Sequence, residues 1–168
     1  MPAIRPEQWD DIAAVRDVNE QAFGRKDEAD LVDALREDAL RIASLVAVES
    51  GRIVGHAMFS RVWIDDESRT VTVASLAPVA VSPEHQRKGI GSALIERGIE
   101  DCRSGGWPAM IVVGHAEYYP RFGFSAAAVA HLESPYAGPY FMGLDLRPGT
   151  LASVHGRVRY PDVFDHLK

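Results

Sequence analysis

Hydrophobic positions along this chain change their spacing several times, and each change marks an element. Ile4 to Pro6 reads as a short opening strand. From Glu7 to Phe23, Trp9, Ile12, Ala13, Val15 and Val18 keep a roughly helical period with acids gathered early, which predicts a helix. After Gly24-Arg25-Lys26, a second helix is expected from Asp27 to Asp38, with Leu31, Val32 and Leu35 apolar. The pattern then shortens. Ala43 to Glu49 and Arg52 to Arg61 read as strands joined by a hairpin at Ser50-Gly51, and Val62 to Asp65 extends the second. Thr70 to Val81 is a further strand region, with Pro78 marking a bulge or edge-like break because it cannot donate to a ladder. A helix from Gly89 to Ser104 stops at Gly105-Gly106, and Ala109 to Val113 is a buried strand. His115 to Phe122 reads as a short helix or turn closed by Gly123-Phe124. Ala126 to Leu132 and Tyr140 to Leu146 are strand candidates, and the tail to Lys168 carries no clear pattern. The order α α β β β α β α β β predicts one mixed α/β domain over residues 1–168.

Composition narrows the class only a little. With 168 residues, 46% hydrophobic and 25% charged, the chain suits a single globular domain. Its net charge of −6 argues against direct nucleic-acid binding, although a ribosome-linked modifier acting on a protein tail stays compatible with it. The single cysteine, Cys102, shares the apolar side of its helix with Leu94 and Ile99, so a buried core thiol is expected. No apolar run approaches the ~20 residues that span a bilayer. The N-terminus shows no secretory h-region, and a cytoplasmic protein without membrane partners is the expectation.

The chemistry concentrates between Val79 and Leu94. An apolar strand runs through a polar, basic turn with two glycines directly into an amphipathic helix. Such a helix start aims backbone N–H groups at open space and binds anions, phosphate above all. Spacing sorts the phosphate loops. A Walker loop needs Gly before Lys, and here Lys88 precedes Gly89. A Rossmann fingerprint needs a third glycine where Leu94 stands and an acid about 20 residues on, where Gly106-Trp107-Pro108 lies.

Gln86-Arg87-Lys88-Gly89-Ile90-Gly91 resembles the Q/R-x-x-G-x-G/A motif of the GNAT superfamily of acyl-CoA-dependent N-acetyltransferases, with Val81-Ser82-Pro83 before it and Ser92-Ala93-Leu94 after it. Downstream, Tyr118-Tyr119-Pro120-Arg121-Phe122-Gly123-Phe124 resembles the family's Y-x-x-x-G-F element. The resemblance implies a GNAT-like mixed central sheet, splayed between its two middle strands and flanked by helices. It implies acetyl-CoA as co-substrate, no metal, and transfer of an acetyl group to a primary amine of a small molecule or peptide by direct attack. The pyrophosphate would sit on Gln86, Arg87, Lys88, Gly89, Ile90, Gly91 and Ser92, and the pantetheine arm along the backbone of Val79, Ala80 and Val81. Tyr119 is the implied general acid, and a backbone N–H of Val81 or Ala80 the implied oxyanion donor. The general base stays open among His115, Glu117, His56 and water, because Val73 to Ala77 carries no carboxylate. That gap leaves a CoA-binding regulatory protein without turnover as the alternative. Phe23, Arg25, Lys26, Asp27, Glu28 and Asp30 lie where the family reads its acceptor, and acids there would favour a cationic amine. Family members often dimerise through C-terminal strands, so the Tyr140-Phe141-Met142 run is either a homodimer edge or core.

Overall fold

The computed structural model describes residues 1–166. Strand β1 (Ala3–Pro6) leads through a 3-10 turn (Trp9–Asp11) into helices α1 (Ile12–Phe23) and α2 (Asp27–Glu37). Strands β2 (Arg41–Glu49), β3 (Arg52–Asp66) and β4 (Thr70–Val81) follow, then α3 (Ile90–Ser104) and β5 (Ala109–Val113). Next come β6 (Phe141–Asp145), a short helix α4 (Thr150–Ser153), β7 (Gly156–Arg159) and a 3-10 turn over Asp162–His166. Hydrogen-bonded neighbours run β1-β2-β3-β4-β5-β6, with β7 on β3, so seven strands form a mixed sheet. β4 and β5 pair in parallel, and their register extends only from Ala74↔Met110 to Leu76↔Val112. β4 itself continues to Val81, past the cis Ala77–Pro78 peptide. The early end of that register is the parting of the middle strands implied by the family resemblance.

The chain divides into two compact units. The first holds Met1–Ser60, Ala77–Gly98 and the residues from Asp162. Its hairpin β2–β3 turns at Ser50 and Gly51, both at positive φ, the conformation that a two-residue hairpin loop requires. Val15 and Val18 of α1, Leu31, Val32 and Leu35 of α2, Leu45 and Val46 of β2, and Leu94 and Ile95 of α3 are buried in it. Each such aliphatic side chain contributes roughly 1.5–3 kcal/mol of hydrophobic stabilisation. The second unit holds Arg61–Leu76 and Ile99–Pro161. Its core gathers Val62, Ile64, Val73, Ile111, Phe141, Leu151 and Val158.

Gly98 of α3 belongs to the first unit and is a packing glycine. A Cβ there would lie 1.9 Å from Cζ of Phe59, whose ring is fully buried. Alanine inside a helix is ordinarily favoured over glycine by about 1 kcal/mol. Here the ring cannot move into solvent, so Gly98→Ala is expected to destabilise by about 1 kcal/mol net, since overpacking typically costs 1–3 kcal/mol. A urea midpoint that rises instead of falling would show that the ring yields freely.

Several elements differ from the expected ones, each for a local reason. The first helix begins at Ile12, because Asp11 turns its carboxylate back to the Gln8 N–H (2.7 Å) and is clamped by Arg5. Ala126 to Leu132 is not a strand: Ala127–Val129 is a 3-10 turn, and only Ser125 bridges to Gly143. Four alanines without β-branching, with Val129 and Leu132 buried three apart, satisfy a turn better than a pleat. The tail, patternless in sequence, supplies β7, which pairs antiparallel with Trp63–Asp66 of β3. Cys102 is buried as expected, and burial pushes its thiol up to about 12, which leaves it unreactive. Phe141 and Met142 are core residues while Tyr140 is exposed, and Ser125 covers the backbone of Gly143 in β6. Among the described residues no helix is long and apolar enough to cross a membrane.

Candidate active site

The two sequence motifs lie in different units, and each has its own geometry. In the first unit, β4 leaves the sheet at Ser82, whose N–H donates to the Val54 carbonyl at 2.9 Å. A 3-10 turn over Pro83–His85 follows, then extended Gln86, whose Nε2 donates to the Val81 carbonyl at 3.0 Å. Arg87 (φ 64°) and Gly89 (φ 84°) both adopt the left-handed region, with Lys88 between them. Arginine there is uncommon, and such strain concentrates at binding loops. α3 starts at Ile90, and its first helical bond runs from the Ala93 N–H to the Gly89 carbonyl at 3.0 Å. The N–H groups of Gly89, Ile90 and Gly91 therefore precede the hydrogen-bonded turn, where a helix presents donors. Burial of Ile90, Leu94 and Ile95 pins that turn in place.

The loop fits a pyrophosphate. Pro83, Glu84 and Gln86 to Gly89 are exposed, and the space where a Cβ of Gly89 would project meets only the Met1 side chain at 3.6 Å. Left-handed turns flanking Lys88 fold the backbone into an amide concavity, and two cations stand beside it. Val79 and Val81 are half-buried and Ala80 is buried, while the side chain of Gln86 is spent on closing the loop. Gln86, expected among the ligand contacts, also has a structural task through this bond.

In the second unit, Tyr119 opens the 3-10 turn Tyr119–Phe122, which Gly123 closes at φ 98°. The ring lies edge-on to Tyr118 (centroids 5.1 Å apart) and to buried Phe124 (5.9 Å). Gly114 makes room for it: a Cβ there would stand 2.3 Å from the Tyr119 ring. Burial, and next the neighbouring Tyr118, push the Tyr119 hydroxyl up to about 12, so it keeps its proton at neutral pH. Gly114 went unnoticed in the sequence, where its only signal was a glycine directly after a buried strand. His115 and Glu117 are exposed on the same loop, and the His115 carbonyl accepts the Tyr118 N–H at 3.1 Å.

His56, one of the candidate bases, is a core group. It is fully buried; Asn19 Nδ2 donates to its Nδ1 at 3.1 Å, and its Nε2–H donates to Ser44 Oγ at 2.8 Å. Burial, then nearby Arg36, push it down to about 3. Both ring nitrogens are engaged, so it has no lone pair for an amine. The acids of α2 are also matched by cations. Arg25 Nε donates to Glu28 at 2.9 Å, and Arg16 reaches Asp30 and Asp33, each at 2.8 Å. The expected acidic lure for a cationic acceptor is thereby neutralised at Glu28 and Asp30.

A strand–loop–helix segment with left-handed Arg87 and Gly89, a half-buried tyrosine turn further along the chain, and a mixed sheet with a short central parallel register together define the fold of an acyl-CoA-dependent transferase. Residues 3–127 match the acetyltransferase (GNAT) domain family, and the chain belongs to it. It is similar to the uncharacterized N-acetyltransferase YjhQ of Escherichia coli (strain K12), at 42% identity over 77% of this chain and 71% of that one. The uncharacterized N-acetyltransferase YhbS of the same organism is 30% identical over 98% of this chain and 99% of its own length. The crystal structure of Escherichia coli YhbS in complex with CoA superposes with a TM-score of 0.91, covering 99% of this chain and 93% of that one at 29% identity. A GNAT family acetyltransferase from Brucella melitensis in complex with acetyl-CoA gives 0.83 over 98% and 99% of the two chains, at 35% identity.

Proposed function

We propose that residues 1–168 form a single N-acetyltransferase domain that moves the acetyl group of acetyl-CoA to a primary amine of a small molecule or peptide, in the cytoplasm. The observation that carries this reading is the loop from Gln86 to Ser92, with left-handed Arg87 and Gly89 at the start of a long helix. CoA and acetyl-CoA in the two similar structures support it. The backbone of Val79 to Val81 holds the pantetheine arm as an added strand would, and an N–H of Ala80 or Val81 donates to the carbonyl oxygen as its negative charge grows. The amine nitrogen forms the new C–N bond as the C–S bond breaks. Tyr119, protonated throughout the neutral range, gives its hydrogen bond and then its proton to the departing sulfur. The proton shed by the amine passes to water, with His115 and Glu117 the side chains offered to relay it.

Tyr119→Phe is expected to lower kcat at least 10-fold with little change in KM for acetyl-CoA, read as free-thiol release with a panel of amines. Equal turnover in mutant and wild type would reassign the hydroxyl to packing. The lack of a carboxylate on β4 between Val73 and Ala77 keeps a second reading in view, a CoA-binding regulator without turnover. Calorimetric binding of acetyl-CoA with no thiol release from any amine would favour it.

A further inference from the structure

The loop that would hold the donor phosphates is tied to the sheet by a chain of side chains. Ser82 Oγ lies 2.7 Å from His85 Nδ1, and His85 Nε2 lies 3.0 Å from Glu49 Oε2. With a carboxylate on Nε2, that nitrogen carries the hydrogen, so Nδ1 accepts the Ser82 hydroxyl proton. One imidazole thus bridges the turn after β4 and the last residue of β2. Glu49 is paired with Arg52 across the tight hairpin, which makes it a fixed point.

A serine, a histidine and an acid in series resemble a nucleophile with its base, but the backbone here cannot serve that chemistry. Pro83 follows Ser82 and has no N–H to hold an oxyanion, and the N–H of Ser82 itself is spent on Val54. The hydroxyl is therefore a tether. We infer that Glu49 and His85 are positioning residues for the acetyl-CoA pyrophosphate, bracing the Ser82–Gly89 loop in its binding shape before the ligand arrives. The physical reason is entropic. An exposed segment with two left-handed residues loses backbone freedom on closing around a ligand, and that loss opposes binding. A loop already held from β2 through His85, and from β4 through Gln86, has less freedom left to lose.

This inference rests on the acetyl-CoA reading of the loop, and the test separates the two. Acetyl-CoA is titrated calorimetrically into wild type, Glu49→Ala, His85→Ala, Glu49→Gln and His85→Gln. The alanine variants are expected to bind about 10-fold more weakly with unchanged thermal midpoints in the absence of ligand. Glu49→Gln keeps an acceptor for the Nε2–H, and His85→Gln keeps a donor near the Nε2 position, so both should recover most of the affinity. In turnover, the loss should fall on KM for acetyl-CoA and be absent with S-acetylpantetheine, which lacks the pyrophosphate. Wild-type affinity in Glu49→Ala and His85→Ala overturns the brace alone. An equal loss with S-acetylpantetheine, or a lowered midpoint that accounts for the weakening, reduces the chain to general folding support and overturns it too. Failure of the wild type to bind acetyl-CoA would instead strike the donor reading itself.

Discussion

Gly89→Glu is expected to weaken acetyl-CoA binding more than 100-fold, which corresponds to at least about 2.8 kcal/mol at 1.4 kcal/mol per decade. Two effects add. Gly89 sits at φ 84°, where a side chain strains the backbone, and a Cβ there would meet only the flexible Met1 side chain, at 3.6 Å. A carboxylate placed there stands where the phosphate charge must come, and like charges a few ångströms apart repel by roughly 1–4 kcal/mol between water-like and surface-like screening. Gly89→Gln carries the same bulk and strain without the charge, and Gly89→Asn tolerates the left-handed region best among the replacements. The expected order of affinity is wild type, Asn, Gln, then Glu, read by calorimetry at fixed ionic strength. If Glu and Gln bind alike, the loss is steric and the anion assignment fails.

His56 should give this protein a steep acid sensitivity. Its folded value, about 3, lies below the ordinary 6.5 because the ring is fully buried and Arg36 stands near. Charging it would also set an Nδ1 hydrogen against the Asn19 Nδ2 hydrogens. Asn19 cannot flip to relieve this, since the same Nδ2 donates to the Val15 carbonyl at 2.9 Å. The sign follows from proton counting. Between pH 6.5 and 3 the unfolded chain binds a proton at His56 that the folded chain refuses, so stability falls as pH falls through that window. Full expression would amount to roughly 5 kcal/mol at the acid end, at 1.36 kcal/mol for each unit of difference. Urea midpoints of wild type and His56→Gln, measured from pH 7.5 down to 4, should converge as pH drops, because the variant lacks this titration while sharing every other titrating group. Parallel curves would falsify the assignment.

The elements read most faithfully from sequence are those whose pattern is local. β3 and its extension, α3 and β5 follow their own periodicity, and Gly105-Gly106 ends α3 as two adjacent glycines must. The loop proposed to hold the donor is local in the same way: its shape is backbone geometry set by Arg87, Lys88 and Gly89 and by the helix they open. Tyr119 and Gly123 likewise form a turn within five residues of sequence.

What stayed hidden depends on partners far along the chain. Val129 and Leu132 could serve a strand or a turn, and the choice fell to the core they enter. A histidine on a strand can be a base or a core group, and His56 became the latter because Asn19, 37 residues earlier, and Ser44 occupy both nitrogens. Glu28 and Asp30 lose their appeal to a cationic acceptor once Arg25 and Arg16 sit against them. Glu49 and His85 meet only because the β2–β3 hairpin ends beside the turn after β4. Backbone conformation and periodicity are short-range properties, so the sequence alone determined the family, the glycine turn that opens α3 and the tyrosine turn. Burial, charge pairing and the sharing of hydrogen bonds are settled by which distant side chains arrive, and only the tertiary structure decided those.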